Sequence, residues 1–175
     1  MDNANIDFLR KQSLFKSFTD EELHIVAKLL KRNTIESYDP IVEEGDLSSD
    51  IYFIAEGEVC VLKWDEAKLF QLPIGTLKEG DMFGEMSFLD LLPRSASIEA
   101  RKNTVYYSLS REDLLGALPT TQEIYNKIVT NIAIINAQRL RLSNQSYVKT
   151  LRSLVGQLQI RIGQSLLVIY LTILM

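Results

Sequence analysis

The chain has a single cysteine, Cys60, and a single histidine, His24. One thiol closes no internal disulfide and builds no zinc or iron–sulfur site by itself. Cys60, in the apolar run "EVCVLK", reads as a small buried thiol in a strand. His24 sits in "EELHIVAKLL", a helical pattern, and is expected on the surface. Metal and haem chemistry therefore lack ligands, and none is expected. An excess of positive charge is missing too: 19 Lys and Arg against 23 Asp and Glu give a net charge of −4. That is no electrostatic footprint for phosphate backbones, so no nucleic acid is expected as a partner of this chain alone. The N-terminal "MDNANIDFLRKQSLF" lacks a basic stretch followed by an apolar one, which points to the cytoplasm. No paired nucleophile and base stands out, so the chain does not read as an enzyme. A bilayer-length apolar run is also lacking. The uncharged stretch 162–175, "IGQSLLVIYLTILM", spans about 21 Å as a helix, short of a hydrocarbon core of roughly 30 Å.

What is present is an ordinary globular balance, 46% hydrophobic and 24% charged, over 175 residues. That length suffices for one domain with a sizeable core plus an appendage. Residues 6–33 read as helices. Thr19 with Glu22 three positions on makes a capping-box pattern, and Leu23, Val26, Ala27 and Leu30 share a face. From Ile35 the period changes: "DPIVEEGDLSSDIYFIAEGEVCVLK" has short apolar runs broken by Gly45, Ser48-Ser49 and Gly57. Further strands are expected at 69–74, 96–100 and 104–109. Turn signals at about ten-residue intervals suggest a small barrel or jelly roll rather than a parallel sheet.

After "SREDLLGALPT" the pattern returns to helix. Ile124, Ile128, Ile132, Ile135 and Leu142 form a seam interrupted by Arg139, suited to another helix or to the chain's own β-roll. The expected fold class is α+β: an antiparallel β-roll, jelly-roll-like, flanked by N-terminal helices and a long C-terminal helix. The expected division is 1–34 N-terminal helical segment, 35–112 β-roll, 113–148 hinge and dimerisation helix, and 149–175 apolar helical tail. The tail reads as a partner helix, a membrane contact, or part of something longer.

The chemistry concentrates in "DMFGEMSFLDLLPRSASIEA", residues 81–100. Gly84 before a short helix leaves backbone N–H groups unsatisfied and permits close approach, an arrangement that favours an anion. Arg94, after Pro93, brings a planar guanidinium suited to phosphate, and Ser95 and Ala96 are small enough to expose their N–H groups. Glu85 would repel a bare phosphate. A ligand carrying both an anion and a hydroxyl donor resolves the conflict, and a nucleotide whose phosphate is tied back to its sugar is such a ligand.

The segment "FGEMSFLDLLPRSASIEA" closely resembles the phosphate-binding cassette of cyclic-nucleotide-binding domains. That family includes bacterial catabolite activator proteins, regulatory parts of cyclic-nucleotide-dependent kinases, and cyclic-nucleotide-gated channels. "EEGDLSSDIYFIAEGEVCVL" is similar to the family's first hairpin region, with Gly45 and Gly57 at its turns, and the likeness covers about residues 10–142. The resemblance implies that Gly84 permits the turn and Glu85 accepts from the ribose 2′-hydroxyl. Backbone N–H groups around Met86 and Ser87 would help hold the sugar-phosphate. Arg94 would pair with the cyclic phosphate, assisted by Ser95 and Ala96. The base would be covered by the long helix, with Asn136, Gln138 and Arg139 as candidates.

The implied function is a cyclic-nucleotide sensor that couples ligand capture to movement of the helix from Thr121, through a homodimer or a protein partner. Ser95 beside the arginine is compatible with cyclic AMP, the favoured ligand, and in the family a hydroxyl there can also favour cyclic GMP. Two alternatives remain at this stage. One is the ligand-binding part of a Crp/Fnr-type transcription regulator without its DNA-binding domain in this chain, and the other is a degenerate, non-binding interaction module.

Overall fold

The computed structural model describes the backbone of residues 2–117 and 121–174, and the side chains of 5–117 and 121–157. It divides into two compact units, Met1–Ile132 and Ala133–Met175. The first unit opens with α1 (Asp2–Lys11), a short 3-10 turn (Ser13–Phe15) and α2 (Asp20–Leu29). The capping box that starts α2 is formed. Glu22 N–H donates to Thr19 Oγ1 at 3.3 Å, and Thr19 N–H donates to Glu22 Oε2 at 2.8 Å. His24 is exposed.

Two antiparallel sheets of four strands follow. The first runs β1 (Leu30–Ile35), β8 (Thr104–Leu109), β3 (Ile51–Glu56), β6 (Met82–Phe83), and the second β2 (Pro40–Val42), β7 (Ser97–Ala100), β4 (Glu58–Trp64), β5 (Gln71–Lys78). Strand β3 is buried on both faces, because it has a core on each side. Tyr52 and Ile54 meet Val42, Val59, Phe83 and Ile98 between the sheets. On the other side Phe53 lies 5.4 Å, centroid to centroid, from Phe15 of the helical layer. Cys60 is buried in β4, as the sequence suggests. At Gly57, with φ of 108°, a β-carbon would stand 2.8 Å from Thr104 Cα, so the β3–β4 turn admits no side chain.

Two strands differ from the sequence reading: the one expected at 69–74 is β5, Gln71–Lys78, which starts after Phe70 and runs on to Lys78, and the other is β1. Residues 30–33 continue the helical periodicity of α2, yet they are strand, paired with β8 in the register Leu30↔Leu109 to Ile35↔Thr104. Leu30 keeps its buried apolar role but in extended backbone, because the free edge of β8 offers a full ladder of hydrogen bonds.

Past β8 come α4 (Arg111–Gly116) and α5 (Gln122–Leu174). The early part of the predicted seam is filled from within: Ile124, Ile128 and Ile132 are all buried in the first unit. Ties from α5 to the N-terminal layer reinforce this, with Lys127 Nζ 2.7 Å from Glu22 Oε1 and Asn131 Nδ2 donating to the Leu14 carbonyl at 2.7 Å. The bond from Lys127 and the one from the Thr19 backbone outweigh the effect of burial on Glu22 and hold its carboxyl below the usual range. In the second unit Leu142 is exposed, as are Leu140, Tyr147, Val148, Leu151, Leu154 and Val155. Among the described residues no helix is long and apolar enough to cross a membrane. The side chains of the apolar tail, 162–175, lie outside the described residues.

Candidate functional site

The segment between β6 and β7 folds around Arg94. Gly84, with φ of 84°, caps α3 (Glu85–Asp90), and Leu91 closes that helix in the left-handed region, its N–H donating to the Ser87 carbonyl. The first hydrogen bond inside the helix runs from Phe88 N–H to the Gly84 carbonyl, at 3.2 Å. The N–H groups of Met86 and Ser87 thus have no acceptor within their own helix. The helix does not extend to Pro93. It stops at Asp90, because Leu91 turns the chain out.

Arg94 is only 4% exposed. Nε donates to Ser48 Oγ at 2.8 Å, Nη1 to the Gly84 carbonyl at 3.1 Å, and Nη2 to the Asp50 carbonyl at 2.9 Å. Its guanidinium also lies over the Tyr52 ring, 5.2 Å from the centroid, and Tyr52 stacks on Phe83. Every hydrogen-bond acceptor here is a neutral oxygen. No carboxylate is within salt-bridge reach of Arg94 among the described residues. A buried cation is normally paired, because removing it from water costs several kcal/mol. Nearby groups respond to the same burial. It pushes the Asp50 carboxyl up, against the pull of Arg94 and Lys31, and it raises the Tyr52 phenol as well.

The structure brings Gly84 and Arg94 together tightly. A β-carbon at 84 would stand 2.6 Å from Arg94 Nη1 and 2.7 Å from the Asp50 carbonyl oxygen. Ser95 Oγ meets Met86 Sδ at 3.6 Å, so the far side of the segment closes over α3 as well. Ser87 is buried, Glu85 and Ala96 are half-buried, and Met86 and Ser95 are exposed. Asn136, Gln138 and Arg139 fall in the second unit, Ala133–Met175. Sequence reasoning missed Ser48, Asp50 and Tyr52, the residues that hold the guanidinium. The broken run "DLSSDIYF" gave only a turn and a strand.

A second contact leads away from the segment. Phe88, fully buried on α3, lies 6.1 Å from the Tyr125 ring in the first turn of α5. Arg111 Nη2 donates to the Tyr125 hydroxyl at 3.1 Å.

The family model of the cyclic nucleotide-binding domain matches residues 32–120, which contain both sheets' principal strands and the whole segment around Arg94. The chain belongs to that family. A cyclic AMP receptor protein of Thermus thermophilus is 31% identical over 140 residues, covering 76% of this chain and 59% of that protein. A cGMP-dependent protein kinase of Toxoplasma gondii is 31% identical over 120 residues, 69% of this chain and 12% of the kinase. The chain therefore spans only part of the length of these curated relatives. Among solved structures, a cyclic nucleotide-binding domain from Methylobacillus flagellatus superposes with a TM-score of 0.70 at 28% identity, over 82% of this chain and 80% of that one. The Thermus thermophilus catabolite activator protein gives 0.66 at 30% identity, over 77% and 61%. The antiparallel roll with flanking helices and a long C-terminal helix is the fold of this family.

Proposed function

We propose that this domain is a sensor that binds a cyclic nucleotide, cyclic AMP in preference to cyclic GMP, at Gly84, Glu85, Met86, Ser87, Arg94, Ser95 and Ala96. The observation that carries the reading is the buried guanidinium of Arg94, hydrogen-bonded to neutral oxygens and with no carboxylate within salt-bridge distance among the described residues. An arriving phosphate supplies the missing negative charge, and the first-turn N–H groups of α3 add donors beside it. Glu85 accepts from the sugar hydroxyl. The preference for cyclic AMP draws on the Thermus relative, whose name gives that ligand.

Calorimetric titration with cyclic AMP and cyclic GMP tests this reading. Saturable binding, tighter for cyclic AMP, is the expected result. Absence of both heat and thermal stabilisation with either nucleotide would refute it.

Signal output runs through α5. A phosphate that draws Arg94 and α3 toward itself also moves Phe88, and with it Tyr125 at the root of the long helix. The far part of that helix carries an exposed apolar stripe, Tyr147, Leu151 and Leu154 at heptad spacing with Val148 and Val155 beside it, suited to a second copy of the chain. Sedimentation equilibrium should show a dimer that dissociates when Leu151→Asp and Leu154→Asp are combined. A wild-type monomer at tens of micromolar would rule out this mode of output.

A further inference from the structure

The carbonyl of Ser95, one residue beyond the buried arginine, is held by a charge from the neighbouring sheet. Lys63 on β4 donates from Nζ to that carbonyl and, at 2.8 Å, to Glu44 Oε1. Glu44 is fixed in turn: Trp64 N–H donates to its Oε2 at 3.0 Å, and its own N–H donates to Ser97 Oγ at 2.9 Å. Buried Ser97 also accepts from Gln71 Nε2 at 3.1 Å. Around these side chains runs a short backbone ladder, Gly45 N–H to the Arg94 carbonyl and Arg94 N–H to the Asp46 carbonyl, each 2.9 Å.

That ladder fixes the peptide groups on either side of Arg94 and leaves the next one, between Ser95 and Ala96, to Lys63. In a trans peptide the N–H points opposite to the C=O. An ammonium that draws the Ser95 oxygen toward β4 therefore turns the Ala96 N–H to the other side. Lys63 and Glu44 form a neutral pair, so their influence on an anion is one of direction rather than of added charge. Their side chains are 44% and 19% exposed, and as a plain surface ion pair they would contribute little to stability.

We propose that Lys63, braced by Glu44, is a positioning residue that aims the Ala96 N–H at one exocyclic oxygen of the cyclic phosphate. This rests on the nucleotide-binding reading above. The hydrogen bond so aimed goes to a charged acceptor, and misdirecting it forfeits part of its strength, about five- to tenfold in affinity.

The test titrates the wild type, Lys63→Met, Lys63→Arg and, as a control, Lys127→Met, which breaks an ion pair at the N-terminal helical layer. Each is measured with the nucleotide that the wild type prefers and with its two phosphorothioate diastereomers. In these, sulfur, a poor acceptor, replaces one exocyclic oxygen or the other. The wild type should discriminate between the diastereomers. Lys63→Met should bind the parent nucleotide five- to tenfold more weakly, with the diastereomer ratio falling toward one, and Lys63→Arg should recover affinity to within about twofold. Lys127→Met should leave both affinity and ratio unchanged, even where its melting temperature drops. Wild-type affinity in Lys63→Met, a ratio unaffected by that change, or a wild type that treats the diastereomers alike would each overturn the positioning role while leaving nucleotide binding intact. A wild type that binds neither nucleotide would instead overturn the underlying reading, and the proposal with it.

Discussion

Gly84→Ala should lose both stability and ligand affinity, by about 2–3 kcal/mol in the first and at least tenfold in the second. Two effects add. Alanine is disfavoured at a φ of 84°, where glycine carries no penalty. Its β-carbon would also stand 2.6 Å from Arg94 Nη1 and 2.7 Å from the Asp50 carbonyl oxygen. The arginine tip can swing aside, but the carbonyl belongs to the backbone just before β3 and has no such freedom. Relief therefore requires moving either the start of α3 or residue 50, and both help to hold the guanidinium. Urea denaturation measures the first loss and titration the second. An alanine variant with unchanged midpoint and affinity would mean that the turn tolerates a side chain and the close approach is incidental.

Arg94→Met should behave differently. Affinity should fall by tenfold to a hundredfold or more, since a charge-assisted bond to phosphate contributes about 1.5–3 kcal/mol. Stability should change by no more than about 1 kcal/mol, because two opposing effects are of similar size. The substitution deletes hydrogen bonds to the Gly84 and Asp50 carbonyls and to Ser48 Oγ, but it also removes a buried cation that forms no salt bridge among the described residues. Methionine keeps an unbranched apolar side chain of similar length. The pair of variants would separate the roles: loss of both quantities would mark Gly84 as shaping the backbone, and loss of affinity alone would mark Arg94 as serving the ligand. If Arg94→Met melted many degrees lower and still bound nucleotide tightly, the guanidinium would be a structural strut and the site would lie elsewhere.

The turn and short helix that precede Arg94 were legible in the sequence because their determinants are local. A glycine before a short helix and an arginine with small neighbours both lie within residues 84–96. Strand β8 was legible for a similar reason, since "TVYYSL" is β-branched and aromatic and occupies the expected span 104–109. Strand β1 was not. "LKRNTI" carries no strand signature of its own, and only the ladder with residues distant in sequence makes it extended. The residues that hold Arg94 were hidden by the same distance: Ser48 and Asp50 are 46 and 44 positions away. The isoleucine stripe of α5 was recognised as a stripe, but periodicity defines a face and not its partner. For Ile124, Ile128 and Ile132 the partner is the first unit itself.

Two of the oxygens that receive Arg94, those of Gly84 and Asp50, belong to the main chain. An amino acid substitution exchanges a side chain and leaves the carbonyl where it was. At position 50 this recognition is therefore written in the path of the backbone, and many residue types there could preserve it so long as the route from Ser48 into β3 is kept. A profile of allowed residues at position 50 would report on the side chain, which bonds Ser110 and attracts Arg94, and so overlook the carbonyl contact that holds the arginine. Divergent sequences that share this path can be expected to retain the receiving geometry after the letters around it have changed.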